Sequence, residues 1–135
     1  MRLLIDINVV LDVALQRPGA AASALLLAQC GRQHEAWLAW HSVATLAYLL
    51  ERQQSKVDVR EFIRGLISWA NVATTGTADV VRALEMAMPD FEDALQAAAA
   101  LACGAQLIVT RNERGFKGSP VAALNPEAFL RQHGP

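Results

Sequence analysis

The sequence predicts a single-domain α/β protein over residues 1–135, with helices on both faces of a mostly parallel central sheet of four to five strands. Three observations carry this prediction. The run Leu3-Leu4-Ile5 is continuously apolar rather than alternating, as expected of a parallel strand buried on both faces. Further short apolar runs recur with helical segments between them, and that alternation gives right-handed crossovers in three α/β/α layers. Hydrophobic residues make up 53% of the 135, enough for one packed core and too many for a disordered chain.

The elements follow in order. Arg2 to Ile5 is the first strand, and Asn8 is placed to cap a helix running to about Gln16. Arg17-Pro18-Gly19 breaks that helix. The Ala/Leu-rich segment from Ala20 to Gln33 is helical, and Ala36 to Trp40 is a second strand. Ser42 is a candidate cap for a helix whose apolar face is Val43, Leu46, Ala47, Leu49 and Leu50. A further helix starts at Asp58, with Phe62, Ile63, Leu66 and Ile67 at helical spacing. Asn71 to Thr75 reads as a third strand. Thr77 opens a helix carrying Val80, Val81, Leu84 and Met88, which ends near Pro89. From Asp90 or Phe91 a strong helix runs to Cys103 and stops at Gly104. Gln106 to Val109 is a buried strand, Lys117 to Pro120 a loop, and Val121 to Leu124 a short last strand. Pro126 to Gln132 is a terminal helix with proline in its first turn.

Bulk properties exclude some classes of function. A net charge of −1 gives no general attraction to nucleic acid, so RNA binding needs a local basic patch. Cys30 and Cys103 lack metal-ligand spacing and read as small core residues. The N-terminal apolar stretch is interrupted by Asp6 and Asp12 and does not resemble a secretory signal. Ala94 to Ala105, broken by Gln96, is too short to span a membrane. A cytoplasmic protein with no membrane partner is expected. His34, His41 and His133 lack ligand spacing and read as surface or loop residues.

The chemistry-bearing residues lie at element ends. Asp6 closes the first strand, Asp93 sits in the first turn of the long helix, and Thr110-Arg111-Asn112 follows the fourth strand. Open α/β sheets bind ligands outside the carboxyl ends of their strands. Polar groups converging there read as a divalent-metal site. Asp12, one turn after Asn8, reads instead as a solvent-facing or cap-supporting acid, and Asp90 as a helix cap.

These segments resemble the PIN-domain family, in particular its bacterial VapC-type toxins. The match runs through Leu3 to Asp12, through Asp90-Phe91-Glu92-Asp93-Ala94-Leu95-Gln96 to Gly104, and through Ile108 to Asn112 with Phe116 to Pro120. Asn125 to Leu130 resembles the family's closing segment. The resemblance implies a Mg²⁺- or Mn²⁺-dependent endoribonuclease, the toxin of a toxin–antitoxin pair, acting on RNA and forming a homodimer. It implies Asp6 and Asp93 as metal ligands and catalytic residues, with Asn112 beside them. Asn8, Thr110 and Glu92 would support the site, although Glu92 lies about 100° around the helix from Asp93. Arg111, Arg114 and Lys117, with Arg17, form the candidate phosphate-binding loop region.

Two family acids are missing. The acid expected on the helix after the second strand falls on Thr45 or Tyr48, while Glu51 lies one to two turns further on. The acid expected before Phe116 is Gly115, with Glu113 a candidate substitute. One Mg²⁺ needs only one or two carboxylates together with water and substrate oxygens. The competing reading is a degenerate PIN-like module that binds RNA or a protein partner without catalysis. A phosphotransfer enzyme is disfavoured because position 8 is Asn where Asp-x-Asp is needed, and no phosphate-binding glycine loop is present. Trp37, Trp40 and Trp69, with Leu38, Tyr48, Leu49 and Phe62 near them in sequence, read as core or dimer-face anchors.

Overall fold

A computed structural model describes residues 1–134. Five parallel strands form the sheet, in the order β3-β2-β1-β4-β5: β1 (Arg2–Ile5), β2 (Glu35–Leu38), β3 (Ala70–Val72), β4 (Leu107–Val109) and β5 (Ala123–Leu124). The central strand is β1, whose Leu3, Leu4 and Ile5 are at most 1% exposed, which accounts for their unbroken apolar run.

One face of the sheet carries α1 (Ile7–Ala14), α2 (Ala20–Gln29), α3 (Trp40–Leu50), α4 (Lys56–Ile67) and α7 (Pro126–His133), packed through Leu11, Leu26, Leu46, Leu66 and Phe129 onto Leu3 and Ile5. The other face carries α6 (Phe91–Cys103), whose Ala97 and Ala100 lie against Leu4 and Ile108. α5 (Thr77–Leu84) packs outside α6. The alanine run of α6 is therefore a close-packing surface, where small side chains let helix and sheet approach.

Several element ends differ from the sequence expectation. Asp6, not Asn8, caps α1: its carboxylate accepts from the backbone N–H of Asn8. α2 ends at Gln29, short of Gln33, and β2 ends at Leu38 because Trp40 already belongs to α3. Ala39 rather than Ser42 precedes α3, and Ser42 is buried inside it. Ser55 caps α4 and accepts from the backbone N–H of Asp58, so the helix begins before that residue. β3 is shorter than Asn71 to Thr75 and starts at Ala70, while α5 stops at Leu84 before reaching Met88. The cap at Asp90 stands where expected, and Asn125 caps α7 by accepting from the Ala128 N–H.

Register brings distant chain segments together at the C-terminal edge of the sheet. Ile5 pairs with Val109, and the Asp6 N–H donates to the Val109 carbonyl at 2.9 Å. The next residues, Asp6 and Thr110, are therefore neighbours. The strand order reverses between β1 and β4, so the crevice opens beside them.

Candidate metal centre

Asp6 leaves β1 and becomes the N-cap of α1, so its carboxylate is oriented by backbone before any ligand is considered. Oδ1 accepts from Asn8 through the backbone N–H at 3.0 Å and through Nδ2 at 3.3 Å. Oδ2 accepts from Thr110 Oγ1 at 2.9 Å. Arg17 Nη1 donates to Asn8 Oδ1 at 3.3 Å, which places a cation at the rim. Asp6 is only 5% exposed, and burial pushes its carboxyl up despite the opposing hydrogen bonds.

α6 supplies the opposing wall. Asp90 caps it by accepting from the Asp93 N–H at 3.1 Å. Asp90, Glu92 and Asp93 each offer an oxygen within 4.8 Å of the others. Glu92, 100° around an ideal helix, thus still reaches the same acidic cluster. Its carboxylate bonds His41 Nε2 at 2.7 Å and Gln96 Nε2 at 3.3 Å. Burial first, then the charges of Glu92, Asp90 and Asp6, push the Asp93 carboxyl up to about 6. That influence ties the two walls together: Asp93 senses Asp6, and Asp6 senses Glu92.

Asp6, Ile7, Asn8, Ser42, Thr45, Glu92 and Gln96 all border one cavity of about 110 Å³. Of the two positions where an acid is expected on α3, Thr45 borders the crevice, whereas Tyr48 does not and is 63% exposed. Glu51 is exposed at the end of α3 and is not among the cavity residues.

Asn112 lies across from Asp93. A Cβ built on Gly115 would stand 2.5 Å from both Asn112 Nδ2 and Asp93 Oδ2, so these atoms are no more than twice that distance apart. The place of a side chain at 115 is taken by the Asn112 amide and the Asp93 carboxylate. Asn112 also accepts from the Gly115 N–H at 3.3 Å and donates its own N–H to Thr110 Oγ1 at 3.1 Å. Glu113 is committed elsewhere, accepting from the Asn125 N–H at 2.7 Å, and does not substitute for the acid absent at 115.

Two sequence expectations need correction. Arg111 is not free for phosphate. Its guanidinium bonds Asp12 Oδ2 at 2.8 Å, Glu127 Oε2 at 2.6 Å, the Gly19 carbonyl at 2.6 Å and Ser23 Oγ at 2.8 Å. Asp12 is correspondingly neither solvent-facing nor a cap helper; it is 4% exposed and pairs with Arg111 and Ser23. Gly19 adopts φ +88°, and any Cβ there would meet Arg111 Nη2 at 2.7 Å. Arg114 and Lys117 are exposed beside the crevice loop. Sequence reasoning missed His41 and Gln96. A usable signal existed for Gln96: it is one turn beyond Glu92 and Asp93 on the same helix.

The Asp93 carboxyl gives a pH-dependent stability in metal-free protein. Its value of about 6 lies above the usual 3.8, so the folded state binds the extra proton. The stabilisation is fully present below pH 3.8 and is lost as pH rises through 6. Asp93→Asn removes this dependence. In EDTA the variant's stability relative to wild type should rise between pH 4 and pH 7 by roughly 1–2 kcal/mol, allowing for screening. Urea unfolding at each pH measures it, and a flat difference contradicts the electrostatic picture.

The carboxylates of Asp6, Glu92 and Asp93 are hard oxygen donors of the kind Mg²⁺ and Mn²⁺ accept. Gln96, which borders the same cavity, has its Oε1 buried without a hydrogen-bond partner. This donor set fits a hard divalent cation.

A five-stranded parallel sheet with an acidic crevice at its strand ends defines the class of α/β domain to which this chain belongs. Within that class the chain belongs to the PIN-domain family, whose model matches residues 2–114. The fold is similar to that in VapBC2 from Rickettsia felis bound to a DNA fragment from its promoter, with a TM-score of 0.73 and 17% identity, covering 93% of this chain and 98% of that one. VapBC-1 from nontypeable Haemophilus influenzae gives 0.71 and 16%, covering 94% and 99%. FitAcB from Neisseria gonorrhoeae gives 0.68 and 18%, covering 93% and 98%. The comparison with curated protein sequences returns no match. Among the described residues no helix is long and apolar enough to cross a membrane.

Proposed function

We propose that the chain is a Mg²⁺- or Mn²⁺-dependent endoribonuclease and the toxin of a toxin–antitoxin pair. The observation that carries this is that Asp6 and Glu92 border one crevice, with Asp93 in the same acidic cluster as Glu92 and both aspartates pushed up by burial and like charge. Asp6 and Asp93 would hold the cation, and Glu92 would add a third oxygen. When bound, the cation supplies an acidified water and neutralises charge developing on the phosphate oxygens.

The chain's own residues position the substrate. Asn8 and Thr110 fix both oxygens of Asp6, leaving that carboxylate a single orientation. Asn112, beside Asp93, would orient water or the cation. Arg17, Arg114 and Lys117 contact RNA phosphates; Arg111 does not, because its donors are already committed.

Two apolar surfaces accommodate the protein partners. A groove of about 570 Å³ between α1, α2 and α4, lined by Val10, Val13, Leu27, Phe62 and Trp69, takes an apolar segment of the antitoxin. This assignment draws on the toxin–antitoxin complexes whose fold the chain shares. Exposed Trp40, Val80 and Leu84, on α3 and α5, form the face for a second copy. Trp40 and Val80 border one cavity there. Leu38 and Leu49 are not part of that face: Leu38 is 1% exposed and Leu49 borders the crevice.

Cleavage of single-stranded RNA by the purified chain with Mn²⁺ tests the reading. EDTA should abolish cleavage, and Asp93→Asn should reduce it by more than about 100-fold, since losing even an outer-shell partner of a metal ligand costs about 10–100-fold. Cleavage that persists in EDTA or in Asp93→Asn rejects this site. RNA binding without any Mn²⁺-dependent cleavage would favour the non-catalytic module, which the missing carboxylates at Thr45 and Gly115 support.

A further inference from the structure

We propose that Gln96 is a cation ligand in this crevice, its side-chain carbonyl Oε1 supplying the neutral oxygen that a divalent cation takes in place of the carboxylate absent at Thr45. The inference rests on the metal-dependent reading of the crevice and extends it to a residue type outside the acidic set.

Gln96 is 1% exposed, one turn beyond Glu92 and Asp93 on α6. Its Nε2 donates to Glu92 Oε1 at 3.3 Å. That bond fixes the amide, since the flipped orientation would set two acceptor oxygens against each other. Oε1 is left buried with no hydrogen-bond partner. A buried unpaired acceptor is destabilising unless a donor or cation arrives. Hard divalent cations accept amide carbonyl oxygens alongside carboxylates. The same cavity is bordered by Asp6 and Glu92, and by Ser42 and Thr45 from α3. α3 therefore presents hydroxyls where a negative oxygen is expected, and Gln96 is the buried side chain at this cavity that has an uncommitted carbonyl.

A neutral ligand lowers the charge of the site by one relative to a carboxylate, and cation affinity follows ligand charge. Gln96→Glu should therefore tighten Mn²⁺ binding, and Gln96→Met, similar in length but without the carbonyl, should weaken it.

The test is Mn²⁺ titration by calorimetry on the metal-free full chain, paired with thermal melts in EDTA. Gln96→Met should bind Mn²⁺ about tenfold more weakly, yet melt in EDTA no lower than wild type, because an unsatisfied acceptor has been removed. A purely structural glutamine predicts the reverse, a lower melt with unchanged affinity, and that result overturns the proposal. Gln96→Leu repeats the comparison if Gln96→Met does not fold. Asp6→Asn separates the two levels of inference. Mn²⁺ affinity that falls in Asp6→Asn but not in Gln96→Met refutes the role of Gln96 alone. Affinity unaffected by Asp6→Asn, or no Mn²⁺ binding by wild type, refutes the crevice itself and Gln96 with it.

Discussion

Asp6→Asn should reduce Mn²⁺-dependent RNA cleavage by at least about 100-fold while leaving the metal-free protein as stable as wild type or more so. The two halves have separate causes. The carboxylate is the one strand-borne negative charge in the crevice, so its loss removes the ligand that faces α6. Folding does not need that charge. Asn still accepts from the Asn8 N–H through its carbonyl, and its amide can donate to Thr110 Oγ1 where Oδ2 now accepts. Burial and the Glu92 charge both oppose ionisation of Asp6, so a neutral side chain relieves them. Cleavage assays and thermal melts in EDTA measure the two effects. A destabilised variant that keeps its activity would contradict the assignment. The expected pattern, function lost and stability kept, is that of a site where like charges are held together for binding.

Arg111→Met should destabilise the protein by about 3 kcal/mol, the scale for leaving a buried charge without its partner. The guanidinium joins segments far apart in sequence: Asp12 on α1, the Gly19 carbonyl and Ser23 at α2, and Glu127 on α7. Asp12 is the critical partner, because its side chain is 6% exposed and is left charged without a counter-ion. Burial works against the charge of Arg111, but the bonds to Glu127 and Asp12 outweigh it and hold its pKa above the usual value. The bond to Arg111 in turn holds the Glu127 carboxyl below the usual range. A melting midpoint lowered by roughly 10 °C corresponds to this loss. Combining Arg111→Met with Asp12→Asn should recover part of the stability, since the stranded charge is gone. A loss under about 1 kcal/mol would place Arg111 among ordinary surface ion pairs.

The architecture and the acids at element ends are legible along the chain. Leu3-Leu4-Ile5 marked the central strand because a strand covered on both faces has no polar side to show. Asp6 and Asp93 were legible because a carboxylate directly after a buried strand, or in the first turn of a helix, has a fixed place relative to the sheet edge. The remaining features arise from packing between elements. Whether Thr45 or Tyr48 faces the crevice depends on the rotation of α3 against α1, which local spacing does not set. Arg111 looked like a phosphate ligand because it follows the candidate strand; its partners come from residues 16 to 99 positions away and emerge only on folding. Asp12 was misread for the same reason, since a solvated acid and a buried one paired across the fold look alike along the chain. The unpaired Gln96 carbonyl is likewise a property of packing: the helix places it, but only the neighbouring elements decide whether it finds a donor.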